Sequence, residues 1–474
     1  MGINAGAGRN AVPAPFKSTL STNYIDFTSA GTKGWAQQYL PDLMESEAEV
    51  YGNRTISGFL SQVGAEESMS SDQVIWTEQG RLHASYAGAV AGTAVITLTA
   101  DVDGNALNAA GHMVRVGDMV IVAGGGGQEK CYVSAVDATT ITALPYASAT
   151  LATAFPLGTE LVNIMVYGSE YGKGTTGRVG AIKPAMHTFT NKPIILKDMY
   201  EVSGSDASQI GWVEVSGEAG QDGYLWYLKA EGDTRARFTD YLEMSMVESV
   251  KGDPATSTAD SLINGAAETF GTEGLFAAIE ARGNMSNNTW GVSPSTDLAE
   301  FDAILAEFDS QGAIEENMLF LNRASSLAFD DMLASVNANN PGQSSYGVFQ
   351  NSESMALNLG FMGFRRGSYD FYKSDWKYLN DKGTRGGLRA FDGINGLVVP
   401  AGVSSVYDQQ LGKNLKRPFL HVRYRASQME DRYLKTWVTG SVGASTSDLD
   451  AMEIHYLSER CLIVQGANNF MLFN

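Results

Sequence analysis

The sequence predicts an α+β chain of two domains with an inserted small all-β barrel or sandwich and two long extensions. Three observations carry this. Between Ala91 and Ile164, β-branched residues alternate with small ones, and turn signals at Asp103-Gly104-Asn105, Val116-Gly117-Asp118, Gly124 to Gly127 and Val136-Asp137-Ala138 recur about every 12 residues, the pattern of short strands in a barrel or sandwich. From about Ala219 to Ser249, Tyr224, Leu225, Leu228, Phe238, Tyr241, Leu242, Met246 and Val250 mark one apolar stripe at helical spacing. After Gly271, short one-sided helices alternate with short apolar strands, a compact arrangement that continues to the last residues.

Each element can be justified in order. Residues 1–60 have weak periodicity, Pro13 and Pro15, and the aromatics Phe16, Tyr24, Phe27 and Trp35. A merely disordered tail lacks such anchoring groups, so an extended arm lying on another surface is expected, with a short amphipathic helix from Gln37 to Tyr51. Val74 to His83, which holds Trp76 and Arg81, reads as a strand or a hairpin around Gly80. Beyond the all-β segment, polar-alternating strands resume with Arg178, Lys183, Lys192 and Lys197. The segment therefore interrupts a long two-stranded excursion.

The long helix pairs Glu231 with Arg235 and Asp233 with Arg237 at i,i+4, in the favourable acid-first order. Gly232 costs about 1 kcal/mol in a helix interior, so a kink is expected there, and Pro254 closes the region. Thr272 is placed to cap a helix ending at Arg282-Gly283, and a second helix runs from Asp297 to Gly312. A strand over 316–322 and a helix bearing Leu327, Met332, Leu333 and Val336 follow, ended by Asn340-Pro341-Gly342. Aromatic-rich strands are expected within 361–379, 391–402 and 419–426, and a final strand from Glu453 to Phe473.

Composition excludes several classes. The 474 residues carry 33 Lys and Arg against 53 Asp and Glu, a formal charge of −20, which repels nucleic acid and anionic membranes. Charged residues are 18% of the chain, below the roughly 25% usual for soluble domains, so much of the surface must be neutral or covered by partners. The only two cysteines, Cys131 and Cys461, open apolar runs and are expected as reduced, buried thiols. Met1 to Asn10 has no apolar signal core, Gly6 occupies the Ser/Thr place of the myristoylation pattern, and no apolar run approaches a membrane span. A chain made and folded without export is expected.

Tests for chemistry fail one by one. His83, His112, His187, His421 and His455 have no ligand partner at zinc-site spacing. Asp101-Val102-Asp103-Gly104-Asn105 starts like a calcium loop, but Ala106 and His112 stand where the turn glycine and the bidentate glutamate belong. Gly168 to Gly174 is one residue short of a phosphate loop and reads as a flexible joint. Glu300, Asp302, Glu307 and Asp309 fall on the polar side of a helix, a solvated face rather than a hydrolytic pair. The stretch from Phe364 to Tyr378 mixes aromatics with bases, yet Asp370 and Asp375 interrupt it, favouring a packed sheet or a subunit contact over base stacking. No catalytic residue and no cofactor are expected.

This order of elements resembles the tailed-phage major capsid protein family, the Hong Kong 97-type fold. The local likeness is strongest at His187 to Asp206 (HTFTNKPIILKDMYEVSGSD) and weaker at Gly274 to Asn284 (GLFAAIEARGN). The resemblance implies an N-terminal arm at 1–60, an E-loop at 61–90 and 165–200, and an inserted all-β domain at 91–164. It implies a peripheral domain at 201–259 and 441–474 with a spine helix at about 219–250, and an axial domain at 260–440. The implied function is a non-enzymatic subunit that self-assembles as hexamers and pentamers into an icosahedral shell enclosing double-stranded DNA without sequence-specific binding. Portal, scaffold and decoration proteins would be partners, with no membrane partner, and the chain would be found in the virion and, during assembly, in the host cytoplasm. Inter-subunit contacts are expected at Phe16, Tyr24, Phe27, Trp35, Trp76, Arg81, Arg178, Lys183, Lys192, Glu231, Asp233, Arg235 and Arg237, with Arg178 and Lys183 meeting acidic surface on a neighbour. Two other readings are an adhesion protein, virion or extracellular, with a carbohydrate-binding β module, and an acidic glycoside hydrolase.

Overall fold

The computed structural model describes residues 57–60, 65–101, 104, 106–107, 111–125, 127–155, 161–178, 180, 182, 186–205, 214–216, 222–252, 271–286, 294–312, 314–338, 363–389, 393–401, 403–408, 413–441 and 446–474. The fold mixes helices and sheets, as the sequence predicts, and the chain divides into two units. One comprises Ile75 to Phe189 and the other everything before and after it, so the smaller unit interrupts the sequence of the larger.

Strands β1 (Ala65–Met69) and β2 (Val74–Gln79) are followed by β3 (Ser85–Val90), β4 (Val95–Asp101), β5 (Asp118–Gly124), β6 (Gly127–Val136), β7 (Thr140–Pro145), the one-turn helix α1 (Leu151–Ala154) and β8 (Leu161–Ser169). β3 to β8 close a barrel in the order β3-β4-β7-β6-β5-β8. Its interior is filled by Val90, Ile96, Leu98, Val120, Val122, Cys131, Val133, Ile141, Val162 and Ile164, with Leu151 and Phe155 packed among them. Of the expected turns, the one at Gly127 joins the paired strands β5 and β6 and the one at Asp137-Ala138 joins β6 and β7, whereas Gly104 and Gly117 lie in the connection between β4 and β5, which are not paired; Gly104, Gly117 and Gly127 adopt positive φ. The barrel starts at Ser85, six residues earlier than the composition shift suggests, because Ser85-Tyr86-Ala87-Gly88-Ala89-Val90 alternates too weakly in hydropathy to reveal a strand buried on one face. Val74 to Gln79 pairs not with its sequence neighbour but with β9 (Met186–Asn191), giving a two-stranded ribbon.

In the larger unit, β10 (Ile194–Ser203) leads to the short hairpin β11 (Glu214–Ser216) and β12 (Asp222–Tyr224), and then to α2 (Leu225–Glu248). α2 begins six residues later than the predicted Ala219 and runs unbroken through Gly232. Its buried row is Ala230, Thr234, Phe238, Leu242 and Met246 at strict four-residue steps, while Tyr241 and Val250, expected in the stripe, are exposed. The remaining elements are α3 (Leu275–Arg282), β13 (Asn284–Ser286), α4 (Pro294–Gln311), β14 (Glu316–Leu321), α5 (Arg323–Ala338), β15 (Gly363–Arg366), β16 (Tyr369–Asp375), α6 (Lys377–Asn380), β17 (Gly396–Pro400), β18 (Val403–Asp408), β19 (Lys413–Pro418), β20 (Leu420–Arg425), β21 (Lys435–Gly440), β22 (Ala451–Val464) and β23 (Met471–Phe473). Pro294 at the first turn and Gly312 at φ +68° bound α4, as these residue types favour. Gly274, not Thr272, caps α3. The buried Thr272 hydroxyl donates instead to Asn191 Oδ1 at 3.1 Å.

Two sheets organise this unit. The first has the order β1-β20-β22-β10, with β21 pairing β22 beside β20. α2 lies on it through Phe238 and Leu242 against Ile454, Tyr456, Leu196 and Tyr200. The second, β13-β23-β17-β14-β16-β15, is covered on one face by α4 and α5, through Phe301, Ile304, Phe308, Phe329 and Met332. Its other face, with Phe320, Leu397, Val399 and Leu472, meets α3, the end of α2, and Leu420, Val422, Leu462 and Val464 of the first sheet.

The single terminal strand expected from Glu453 to Phe473 is two strands in different sheets. Gly466 at φ +60° turns the chain between them, a conformation glycine adopts without steric cost. Gly440, at φ +124°, is also constrained, since a Cβ there would lie 1.9 Å from the Ala451 carbonyl oxygen.

Phe238→Ala is expected to destabilise the chain by about 3–5 kcal/mol, the usual cost of emptying a buried phenylalanine site. Tyr241→Ala, one turn position away but exposed, should cost well under half of that. Denaturant unfolding followed by tryptophan fluorescence checks the difference.

Candidate assembly surfaces

The arm aromatics Phe16, Tyr24, Phe27 and Trp35, the predicted helix from Gln37 to Tyr51, and Lys183 lie outside the described residues. What is described begins at an anchor. The backbone N–H of Ser57 donates to Asp240 Oδ1 at 3.0 Å, and those of Gly58 and Phe59 donate to the two carboxylate oxygens of Glu243 at 2.7 and 2.9 Å. Burial raises the Glu243 carboxyl above the ordinary range, opposed by these N–H donors. Phe59 stacks on Trp376 at 4.5 Å and meets Phe320 edge-on at 4.7 Å. The segment upstream of Ser57 thus departs from a fixed point on α2.

The ribbon carries Trp76, which is buried, lies 6.0 Å from the Phe189 ring and donates its Nε1 hydrogen to Glu78 at 3.0 Å. Arg81 is exposed. At the ribbon's far end sits Asn191, wholly buried and fully used. Its Nδ2 donates to the carbonyls of Leu462 (2.6 Å) and Glu273 (3.1 Å), and its Oδ1 accepts from the N–H groups of Lys192 and Glu273, both at 2.9 Å. One amide therefore ties the ribbon's last residue to β22 and to the loop before α3. Lys192 beside it is half-buried.

Arg178 has an in-chain partner. Its Nη2 lies 2.9 Å from Oδ1 and 3.0 Å from Oδ2 of Asp118, whose side chain is fully buried at the start of β5. The same carboxylate accepts the Arg115 N–H at 2.8 Å. Residues 168–174 also differ from the expected loose joint. Gly168 and Ser169 belong to β8, Glu170 N–H donates to the Gly117 carbonyl at 3.0 Å, and the Tyr171 ring fills the space a side chain at Gly117 would need.

On α2, Arg237 Nη2 reaches across to Asp198 Oδ2 on β10 at 3.1 Å. Glu231 and Asp233 are half-buried and Arg235 is exposed. Asp198 and Glu243 hold no sequence signal that separates them from other surface acids, because their partners are 39 and 184 to 185 residues away.

The alternatives for chemistry find no support. Of the acidic group on α4, Asp302 pairs with Arg366 and Asp309 accepts the Tyr369 hydroxyl at 2.7 Å. Among the described residues no group of His, Cys, Asp or Glu is arranged to hold a metal, and no helix is long and apolar enough to cross a membrane. Five of the six aromatics of 364–378 (Phe364, Tyr369, Phe371, Trp376 and Tyr378) are buried and Tyr372 is exposed, with Phe364 stacked on Phe371 at 5.1 Å, so most of that stretch is a packed sheet. Both thiols are buried and pushed up to about 12 by desolvation.

No protein-family model matches the sequence, and no curated protein matches it. Among solved structures, the chain is similar to one in the capsid structure of cyanophage P-SCSP1u, at 8% identity and TM-score 0.41, over 92% of this chain and 93% of that one. It is similar to one in the asymmetric unit of the mature capsid of bacteriophage PhiM1, at 8% identity and TM-score 0.39, over 92% of each chain. A third similarity is to a chain of Mycobacterium phage Ogopogo, at 11% identity and TM-score 0.41, over 93% of this chain and 98% of that one.

Two outcomes follow for this geometry. Arg178→Glu leaves the buried Asp118 facing a like charge and should cost the barrel about 3–5 kcal/mol, seen as an earlier thermal transition, with Arg178→Lys intermediate. Asn191→Ala strands buried partners and should cost about 1–3 kcal/mol for each group left unsatisfied, read as a lower denaturation midpoint.

Proposed function

We propose that this chain is a shell-forming subunit, the major capsid protein of a tailed phage with the Hong Kong 97-type fold. The observation that carries the reading is the ribbon of Val74 to Gln79 and Met186 to Asn191. It is a two-stranded excursion interrupted by a closed barrel, and its exit is locked by Asn191 onto a sheet that bears a 24-residue helix. A subunit that must hold neighbours has a use for such an excursion. In this assignment the ribbon is the E-loop and β3 to β8 the inserted domain. α2 is the spine helix on a peripheral sheet that includes β20 to β22, and the six-stranded sheet with α4 and α5 is the axial domain.

Residues 1–60 are the arm, held at Ser57 to Phe59 and reaching neighbours through Phe16, Tyr24, Phe27 and Trp35. Lys192, Glu231 and Arg235 are the contacts of the ribbon base and the helix face, with Trp76, Arg81, Lys183, Asp233 and Arg237 contributing where copies meet. The subunit assembles as hexamers and pentamers by heterologous contacts, with scaffold, portal and decoration proteins as partners. It encloses DNA without reading its sequence and carries no catalytic site. It assembles in the host cytoplasm and ends in the virion.

Purified chain, alone and with its scaffold partner, should form closed particles in negative-stain micrographs and light scattering. A monomer at every concentration in both preparations would overturn the reading. Deleting residues 1–30, upstream of the Ser57 anchor, should leave the far-ultraviolet dichroism and thermal transition unchanged while abolishing particles.

A further inference from the structure

The barrel's outer wall carries an apolar patch that its packing does not explain. Across β8, β5 and β6, the register aligns Met165 with Ile121 and Lys130, and the next row sets Met119 beside Tyr132 and Leu144. These residues alternate with the buried interior positions, so they face outward. Met165 is 47% exposed, Leu144 46%, Tyr146 52% and Tyr167 42%. Tyrosine and methionine are the residues enriched where proteins meet, and charges are depleted at the centre of such patches.

Two opposite charges accompany the patch, Lys130 between Ile121 and Tyr146 and Glu170 just beyond the end of β8. Lys130 is exposed and joins no ion pair among the described residues. Glu170 accepts the Tyr146 hydroxyl at 2.5 Å, and that bond raises the tyrosine to about 12. A surface with an apolar centre, one cation and one anion is complementary to itself, because a two-fold rotation sets each lysine against the other copy's glutamate.

Charge also selects the occupant. Residues 75–189 hold six Lys and Arg against eight Asp and Glu, a formal −2, leaving 27 against 45, or −18, on the remainder. Copies of so acidic a chain repel one another over most of their surface, and the near-neutral barrel is where they can approach.

We propose that the patch around Tyr132, Leu144, Tyr146, Met165 and Tyr167 is a two-fold contact between the barrels of two copies of this chain, with Lys130 of one copy against Glu170 of the other. The contact rests on the shell reading, in which many copies are displayed close together. Its chemistry does not require a shell.

The test uses the full chain carrying Met165→Cys, treated with a short bismaleimide both in particles and as concentrated free chain. The native thiols are buried and stay unreacted. A covalent dimer is expected from Met165→Cys and none from Thr99→Cys, which places an exposed thiol on β4 at the opposite wall. Adding Lys130→Glu should lower the dimer yield about tenfold, the effect of roughly 1.4 kcal/mol, and adding Glu170→Lys to that variant should restore it. Equal dimer from both cysteine positions, no dimer in either preparation, or a yield unmoved by Lys130→Glu overturns the contact. Particles without the cross-link would sink the contact alone, while a cross-link in free chain that never forms particles would sink the shell reading alone.

Discussion

One strand sets the terms for the larger unit. Ala451–Val464 must satisfy hydrogen-bonding neighbours on both edges at once, with β10 along one side and β21 then β20 along the other. A strand paired on both edges and covered on its faces reads as a continuous apolar run, and nine consecutive residues from Tyr456 to Val464 are buried. Ser458, Glu459 and Arg460 sit inside that run and each needs a partner. Ser458 donates to the Tyr433 carbonyl at 2.6 Å, Arg460 donates to the same carbonyl at 2.9 Å, and Glu459 binds Arg432 at 2.7 Å. The irregular 426–434 segment is thus held by the polar side chains of the strand, and the turn after β1 is held through Arg425, which contacts both Glu459 and Asp72.

The same strand couples the two sheets. Its last residues, Leu462 and Val464, enter the core shared with Phe320, Leu397 and Leu472. Seven residues later the chain has turned at Gly466 and joined the second sheet as β23. Asn191 bonds the Leu462 carbonyl, so the base of the ribbon is fixed to the point where the sheets meet.

What was legible in the sequence was whatever depends on local periodicity. The hairpin tips of the barrel, the helices over Leu275 to Arg282 and around Phe301 to Phe308, and the burial of both cysteines are all set by residues within one or two turns of each other. The misplaced parts depend on distant partners. Thr272 has the chemistry of a helix cap, but Asn191, 81 residues earlier, takes its hydroxyl. Tyr241 fits the helical stripe, yet α2 rests on a narrow strand pair, so the covered positions are the four-residue row from Ala230 to Met246 together with Val247 at its end. The two-stranded excursion on either side of the barrel is expected from the sequence, but which of its residues pair is not, because the pairing of Val74 to Gln79 with β9 spans more than a hundred residues and leaves a hairpin at Gly80 as an equal local reading.

The charge imbalance shows the same contrast between composition and placement. A chain with 33 bases and 53 acids invites the reading that its scarce cations are kept for neighbours, which is why Arg178 looked available. The fold uses them inside. Arg178 neutralises the buried Asp118, Arg237 holds Asp198, Arg282 holds Glu273, Arg385 holds Glu248 at 2.5 Å, and Arg423 holds Glu67 at 2.6 Å. Every cation placed against an in-chain acid leaves the surplus of acids unneutralised on the exterior. In the shell proposed for this chain, copies would therefore gain little from electrostatic pairing over most of their surface, and their cohesion would come from neutral contact area. That requirement accounts for the low charge content, for the aromatics upstream of Ser57, and for the apolar groups left exposed on a barrel whose own interior is already full.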